Sequence, residues 1–195
     1  MKNLPMINFS SSNTETLPFP HFVSFSNLSK DLLHIIYNSL RATNNWKLVE
    51  TDFYEQYEFS LLDSDLSSDF KVLISSDFVS LIKKQFQSQF KINTLQLVDV
   101  VAHKLIKNQK IGVHNDFIGG DETHRLVLHF NPDWVEDNGG FLLLFNSSDA
   151  DDISKIISPL NNSAFGFEIS KSSYHAVSKI FNFIRYTIVY TFKHV

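Results

Sequence analysis

His114 and Asp116 stand two residues apart in the stretch KNQKIGVHND, between a Lys/Gln/Gly turn and a Gly119-Gly120 loop. In an extended backbone the side chains alternate, so residues two apart face the same way. One imidazole and one carboxylate would then be aimed at a single place in space. His175, far downstream in SYHAV, would bring the set to two histidines and one carboxylate. Such a trio covers one face of an octahedral ferrous ion and leaves the opposite positions open for chemistry. Ten residues beyond His175, Arg185 opens the apolar run RYTIVYTF and shares a face with Thr187. A guanidinium grips a carboxylate through two parallel hydrogen bonds, and a hydroxyl can add a third. The same residues also fit plainer roles. An HxD pair occurs on ordinary surface turns, an isolated strand histidine is often a hydrogen-bonded core residue, and Arg185 could lie on an edge strand facing water.

Composition narrows the choice. The 195 residues include no cysteine, so any metal must rest on His, Asp or Glu, and disulfides, zinc–thiolate sites and iron–sulfur clusters are out. Hydrophobic residues make up 43% and charged residues 19%, the balance of a globular protein. The formal charge is -4 and arginine occurs only at positions 41, 125 and 185, which argues against a nucleic-acid partner. No run approaches the roughly 18 apolar residues of a membrane span, and MKNLPMINFSSS lacks a signal-peptide core. The expectation is a cytoplasmic protein with no membrane partner; its oligomeric state is left open.

The elements that must position these residues are partly visible. Residues 1–16 are polar and Ser/Asn/Thr-rich and read as a flexible arm, and 17–195 as a single domain. Apolar residues recur at helical spacing from Lys30 to about Ala42, with Ser29 as N-cap, and a second helix is expected after Ser75-Ser76. Strands are expected over Thr94–Ile106, His124–Phe130, Phe141–Phe145, Ala164–Ile169, His175–Ile180 and Arg185–Phe192, with turn signals between them. In HRLVLHF, Arg125, Val127 and His129 share one face. Helices followed by short strands make an α+β pattern, or a β-sandwich with helices outside, for which a jelly roll is one solution.

From about Leu17 to Phe192 the sequence resembles the 2-oxoglutarate/Fe(II)-dependent oxygenase superfamily, in its prolyl-hydroxylase-like branch. The resemblance rests on several segments taken in order. PFPHFVSFSNLSKDLL resembles the opening strand and first helix, and KNQKIGVHND the approach to the first two metal ligands. HRLVLHFNPDW followed by NGGFLLLF resembles the central hairpin, AFGFEISKSSYHAV the delivery of the distal histidine, and FIRYTIVYTF the strand with the cosubstrate arginine. The resemblance implies a double-stranded β-helix (jelly-roll, cupin-like) core with N-terminal supporting helices. It implies Fe(II), 2-oxoglutarate and O2 as cofactors, with His114, Asp116 and His175 as metal ligands and Arg185, assisted by Thr187, holding the cosubstrate. Two departures concern the pocket. Leu105 stands where a Tyr is common, and His129-Phe130-Asn131 replaces a common Tyr-Leu-Asn. His103, Leu105, Arg125 and His129 are therefore pocket candidates of undefined role.

The implied activity is hydroxylation of a C–H bond on an amino-acid side group within a peptide or protein. Halogenases of the superfamily lack the carboxylate ligand, so Asp116 favours hydroxylation, with desaturation or ring formation still open. The small size and the YEQYEF and SYHAV segments also resemble oxygenases that tailor ribosomal peptides, including those associated with cyclophane peptides. The alternatives are a hydroxylase of a free amino acid or small metabolite, and a non-catalytic cupin-like metal-binding protein.

Overall fold

The structure, a computed structural model, describes residues 7–9 and 13–195. In sequence order its elements are β1 (His21–Phe25), α1 (Lys30–Ala42), β2 (Lys47–Glu50), β3 (Glu55–Ser60), α2 (Ser68–Lys71), α3 (Ser76–Phe90), β4 (Leu95–Leu105), β5 (Ile111–His114), β6 (His124–His129), β7 (Leu142–Phe145), β8 (Ile153–Ile157), β9 (Ser163–Glu168), β10 (His175–Val177) and β11 (Arg185–His194). Both long helices start on serine caps: Ser29 Oγ accepts from the Leu32 amide and Ser75 Oγ from the Phe78 amide, each at 3.3 Å. A serine there satisfies one of the amides that a first helical turn leaves unpaired.

The strands form two antiparallel sheets. The larger has the order β1-β9-β6-β11-β4-β3-β2 and the smaller β5-β10-β7-β8. This is the double-stranded β-helix, an α+β fold in which helices back one sheet and the second sheet covers its other face. Strand β11 shows how the sequence divides the two sides. Tyr186, Ile188, Tyr190 and Phe192 join the core that also takes in Ile36 and Leu40 of α1 and Phe78, Ile82 and Phe86 of α3. Arg185, Thr187 and Val189, at the alternate positions, face the cavity between the sheets. Between the sheets lie two smaller apolar clusters, one around Leu142, Leu144, Phe165 and Phe167, the other around Leu105, Val177 and Ile180. Among the described residues no helix is long and apolar enough to cross a membrane.

Three features differ from the sequence expectation. Within the stretch read as a flexible arm, Ile7 and Phe9 are buried in the core, Ile7 bridges Leu28, and the Phe9 ring lies 5.3 Å from that of Phe22. Gln85 of α3 fixes this segment by accepting from the Phe9 amide and donating to the Ile7 carbonyl. Two apolar residues two positions apart are enough to dock a short extended piece; residues 1–6 and 10–12 lie outside the described residues. The hairpin β2–β3 and strand β8 are also absent from the sequence expectation. Both β2 and β8 are edge strands with mostly solvent-facing residues, so they carry no apolar alternation.

Gly166 on β9 is a close-approach position. It pairs with Phe22 on one side and Leu126 on the other. A Cβ there would come within 2.3 Å of Phe22 Cε1 and 2.8 Å of Phe86 Cε2. Gly166→Val is expected to destabilise the protein by about 1–3 kcal/mol through overpacking. The check is a urea titration, in which the midpoint should fall with the slope unchanged.

Candidate metal centre

His114 is the last residue of β5 and His175 the first of β10, and the two are directly paired across the antiparallel ladder. Their rings lie 4.2 Å apart between centroids. Strand β5 ends at His114, and Asp116 has φ 61°, in the left-handed region that Asp tolerates better than most residues. The HxD pair therefore converges through a turn, not through extended alternation. Asn115 makes that turn: its Oδ1 accepts from the Phe117 amide at 3.1 Å and its Nδ2 donates to the Lys171 carbonyl. Buried Ser173 donates to the Asn115 carbonyl at 2.9 Å, which ties the Asp116 loop to the turn before His175. The result places Asp116 Oδ1 3.3 Å from His114 Nε2, and Asp116 Oδ2 3.3 Å from His175 Nε2. One ligand atom from each of the three residues lies within 4.8 Å of the others.

Hydrogen-bond roles show what this cluster lacks. His114 Nδ1 lies 2.9 Å from the Gly112 carbonyl and His175 Nδ1 2.8 Å from the Ser173 carbonyl. A carbonyl only accepts, so each Nδ1 carries a proton, and Nε2 is the nitrogen left to bear the lone pair of a neutral ring. Burial lowers the His175 pKa, although Asp116 works against that shift, so His175 is neutral near pH 7. For Asp116, burial opposes ionisation. The charge of Arg125, followed by the contacts with His175 and His114, more than offsets it and holds the carboxyl well below the usual range. Two imidazole Nε2 atoms and a carboxylate thus converge on one point, an arrangement that fits a divalent cation and one whose rings are oriented by backbone carbonyls.

Two arginines line the same cavity in opposite conditions. Arg125, on the inward face of β6, places Nη1 2.7 Å from Asp116 Oδ2 and Nη2 2.6 Å from Glu122 Oε2. Arg185 is 4% exposed and has no ion pair or hydrogen-bond partner among the described residues, with its Nε fully buried. Burial lowers its pKa to about 10, which leaves it charged at neutral pH. Thr187 Oγ1, on the same face two residues on, is also buried without a partner. A buried cation next to a buried, unpaired hydroxyl fits an anion with several acceptor sites.

The remaining pocket candidates divide. His103 lines the cavity in register with Thr187, its Nε2 3.8 Å from Glu58 Oε2. Burial, then the charges of Arg125 and Arg185, push its pKa down to about 3. His129 sits across from Thr187 on β6, but its ring is not on the cavity wall; both ring nitrogens are buried and unpartnered. Leu105 is not on the wall either. It is the register partner of Arg185 and packs into the apolar cluster with Val177 and Ile180. The walls are Val127, Leu142, Phe165, Phe167 and Val189, which enclose about 70 Å³. Sequence reasoning missed Glu122, Ser173 and Phe53, whose ring lies 5.1 Å from that of His114. None belongs to a recognisable motif, since each acts through contacts made only in the fold.

Residues 100–193, which contain the whole cluster and Arg185, match the family described as the 2OG-Fe(II) oxygenase superfamily. The match covers just under half of the sequence; the enzymes of that superfamily are oxidoreductases that use Fe(II), 2-oxoglutarate and O2. No curated protein matches the sequence. Among solved structures, a prolyl-4-hydroxylase from Pseudomonas putida aligns with TM-score 0.73 at 13% identity, over 90% of this protein and 92% of that one. A prolyl hydroxylase from Trichoplax adhaerens, in complex with a hypoxia inducible factor peptide fragment, aligns with TM-score 0.74 at 12% identity, over 89% and 83%. A viral collagen prolyl hydroxylase from Paramecium Bursaria Chlorella virus-1, in its 2OG complex, aligns with TM-score 0.66 at 12% identity, over 90% and 96%. At these identities the likeness is one of fold.

An unpaired buried charge should destabilise the ligand-free protein. Arg185→Met keeps the volume and removes the charge, so it is expected to stabilise the protein without cosubstrate by about 1–3 kcal/mol. Thermal unfolding without 2-oxoglutarate checks this, and a lower melting temperature in the variant contradicts it.

Proposed function

We propose that the protein hydroxylates an amino-acid C–H bond, outside the backbone, within a peptide or protein substrate, with His114, Asp116 and His175 holding Fe(II) and Arg185 holding the far carboxylate of 2-oxoglutarate. The observation that carries this reading is the placement of two groups in one cavity. One is a set of three side chains able to hold a metal ion, the other a buried guanidinium with no side-chain partner among the described residues. When bound, the iron and keto-acid supply the oxidising chemistry, in which decarboxylation of 2-oxoglutarate to succinate accompanies oxidation of the substrate C–H bond.

The protein's own residues orient and shield. The Gly112 and Ser173 carbonyls fix the two imidazoles with Nε2 toward the metal position. Thr187 adds a hydroxyl beside Arg185, and Asn131 steadies the start of β11, its Oδ1 accepting from the Tyr186 amide at 2.8 Å. Phe165, Phe167, Val127 and Val189 keep the space between the two polar ends apolar, which strengthens both electrostatic contacts.

A peptide substrate is favoured over a free amino acid by the count of cations. The cavity wall carries two arginines and no lysine. Arg125 is engaged by Asp116 and Glu122, and Arg185 serves the cosubstrate. Neither is left for the α-carboxylate of a free amino acid. Exposed apolar side chains stand on the adjoining segments instead: Phe53 is 43% exposed beside His114, and Ile118, two residues past Asp116, is 75% exposed. The prolyl hydroxylases of similar fold, one of them in complex with a peptide fragment, point the same way.

The test is mass spectrometry of candidate peptides incubated with the protein, Fe(II), 2-oxoglutarate and air, with succinate measured in parallel. A gain of one oxygen on one residue of the peptide and matching succinate are expected. His175→Ala should abolish both. Arg185→Met should raise the 2-oxoglutarate requirement about 10- to 100-fold, the loss expected for a charged hydrogen-bonded contact. Oxidation of free amino acids but not of peptides would overturn the substrate assignment. Full turnover by His175→Ala would overturn the metal assignment.

A further inference from the structure

Asp116 has two carboxylate oxygens, and they have different neighbours. Oδ1 faces His114 Nε2 at 3.3 Å. Oδ2 faces His175 Nε2 at 3.3 Å and, closer, Arg125 Nη1 at 2.7 Å. Arg125 comes from the other sheet, on β6, where it pairs with Phe167 of β9 and Thr191 of β11. Its guanidinium spans the gap to the Asp116 loop and is aimed from behind by Glu122, whose Oε2 lies 2.6 Å from Nη2. Glu122 orients the rigid fork through a hydrogen bond, and the contact with Asp116 is one of opposite charges at close range.

That arrangement matters for the number of open metal positions. Two imidazoles and one carboxylate oxygen would take three positions of an octahedral ion and would leave three, enough for a chelating keto-acid and dioxygen. A carboxylate can also bind a metal through both oxygens. If Asp116 did so, only two positions would remain, and keto-acid and dioxygen could not both be accommodated.

We propose that Arg125 is a positioning residue of the metal centre: by holding Oδ2, it restricts Asp116 to a single metal bond through Oδ1 and keeps open the position that 2-oxoglutarate needs. This rests on the metal reading given above. It assigns Glu122 a supporting part, since Glu122 reaches Asp116 only through the guanidinium. It also separates the two arginines of the cavity: Arg185 faces the cosubstrate, while Arg125 acts on the ligand set.

The test uses Mn(II) as an air-stable probe and 2-oxoglutarate, both titrated by calorimetry into the metal-free, full-length protein. In Arg125→Met the metal meets a carboxylate without the guanidinium now 2.7 Å from it. Mn(II) is expected to bind about three- to tenfold more tightly, the effect of removing a like charge at close range. 2-Oxoglutarate is expected to bind the Mn(II)-loaded variant at least about tenfold more weakly. A purely structural role would not move the two affinities in opposite directions. Arg125→Lys, which keeps the charge and one donor, should recover most of the 2-oxoglutarate affinity. Glu122→Gln, which keeps the Arg125 charge and loosens only its aim, should weaken 2-oxoglutarate binding as Arg125→Met does, but less, and it keeps the question answerable if Arg125→Met does not fold. Parallel weakening of both ligands, or no change in either, overturns this role for Arg125 while leaving the metal site standing. If the unaltered protein itself binds no Mn(II), the metal reading falls and this inference falls with it.

Discussion

The structure is organised around a convergence of lone pairs that is unfavourable by itself. His114 and His175 each direct Nδ1–H to a carbonyl two residues back in the sequence, which turns Nε2 of each ring toward Asp116 and makes it the lone-pair nitrogen of the neutral ring. Asp116 adds carboxylate oxygens at 3.3 Å from each. Nothing in the local sequence around any one of these residues would keep them together. They are held by the β5–β10 pairing, which sets the two histidines face to face, and by Ser173 and Asn115, which lock the adjoining turns to each other. Arg125 supplies the nearby positive charge that makes the carboxylate tolerable there.

The rest of the cavity follows from the same opposition of charges. Its two polar ends carry opposite sign: acceptors at the β5–β10 end, and the Arg185 guanidinium at the start of β11. Between them lie Val127, Phe165, Phe167 and Val189. Such a space suits a short molecule with a metal-binding head and a carboxylate tail, which describes 2-oxoglutarate. The low dielectric that makes each end costly when empty also makes it strong when filled.

The sequence is most legible where one residue pattern coincides with one structural requirement. Helix α1 and its Ser29 cap, α3 with Ser75, and the two faces of β6 and β11 can all be read, because amphipathic periodicity and capping chemistry are local. The residues of the His–Asp–His cluster can be named, but not the turn that joins them, since the left-handed φ of Asp116 leaves no mark on an HxD motif. Strands β2 and β8 escape notice because edge strands are defined by the neighbour they pair with. The packing of Ile7 and Phe9 is masked by the polar residues around them. The ion pairs of Arg125 are hidden for a different reason. Glu122 lies three residues away, yet its function depends on Asp116, which reaches the guanidinium from the opposite sheet.

The scarcity of arginine gives the last constraint. Of the three in the sequence, Arg41 lies against Tyr37 on helix α1, and the other two line the cavity. A protein that recognised its substrate by charge would need further cations near the metal position, and the cavity wall has none. For the peptide substrate proposed above, discrimination would then come from shape and apolar contact, for which Phe53 and Ile118 are the exposed candidates, and from hydrogen bonds to the substrate backbone. Recognition of that kind would tolerate sequence variation outside the modified residue, because each apolar contact discriminates by only about 1–3 kcal/mol. It would also make the site sensitive to how deeply a substrate residue enters, so that the reach from backbone to target carbon, more than net charge, would set which residue is oxidised.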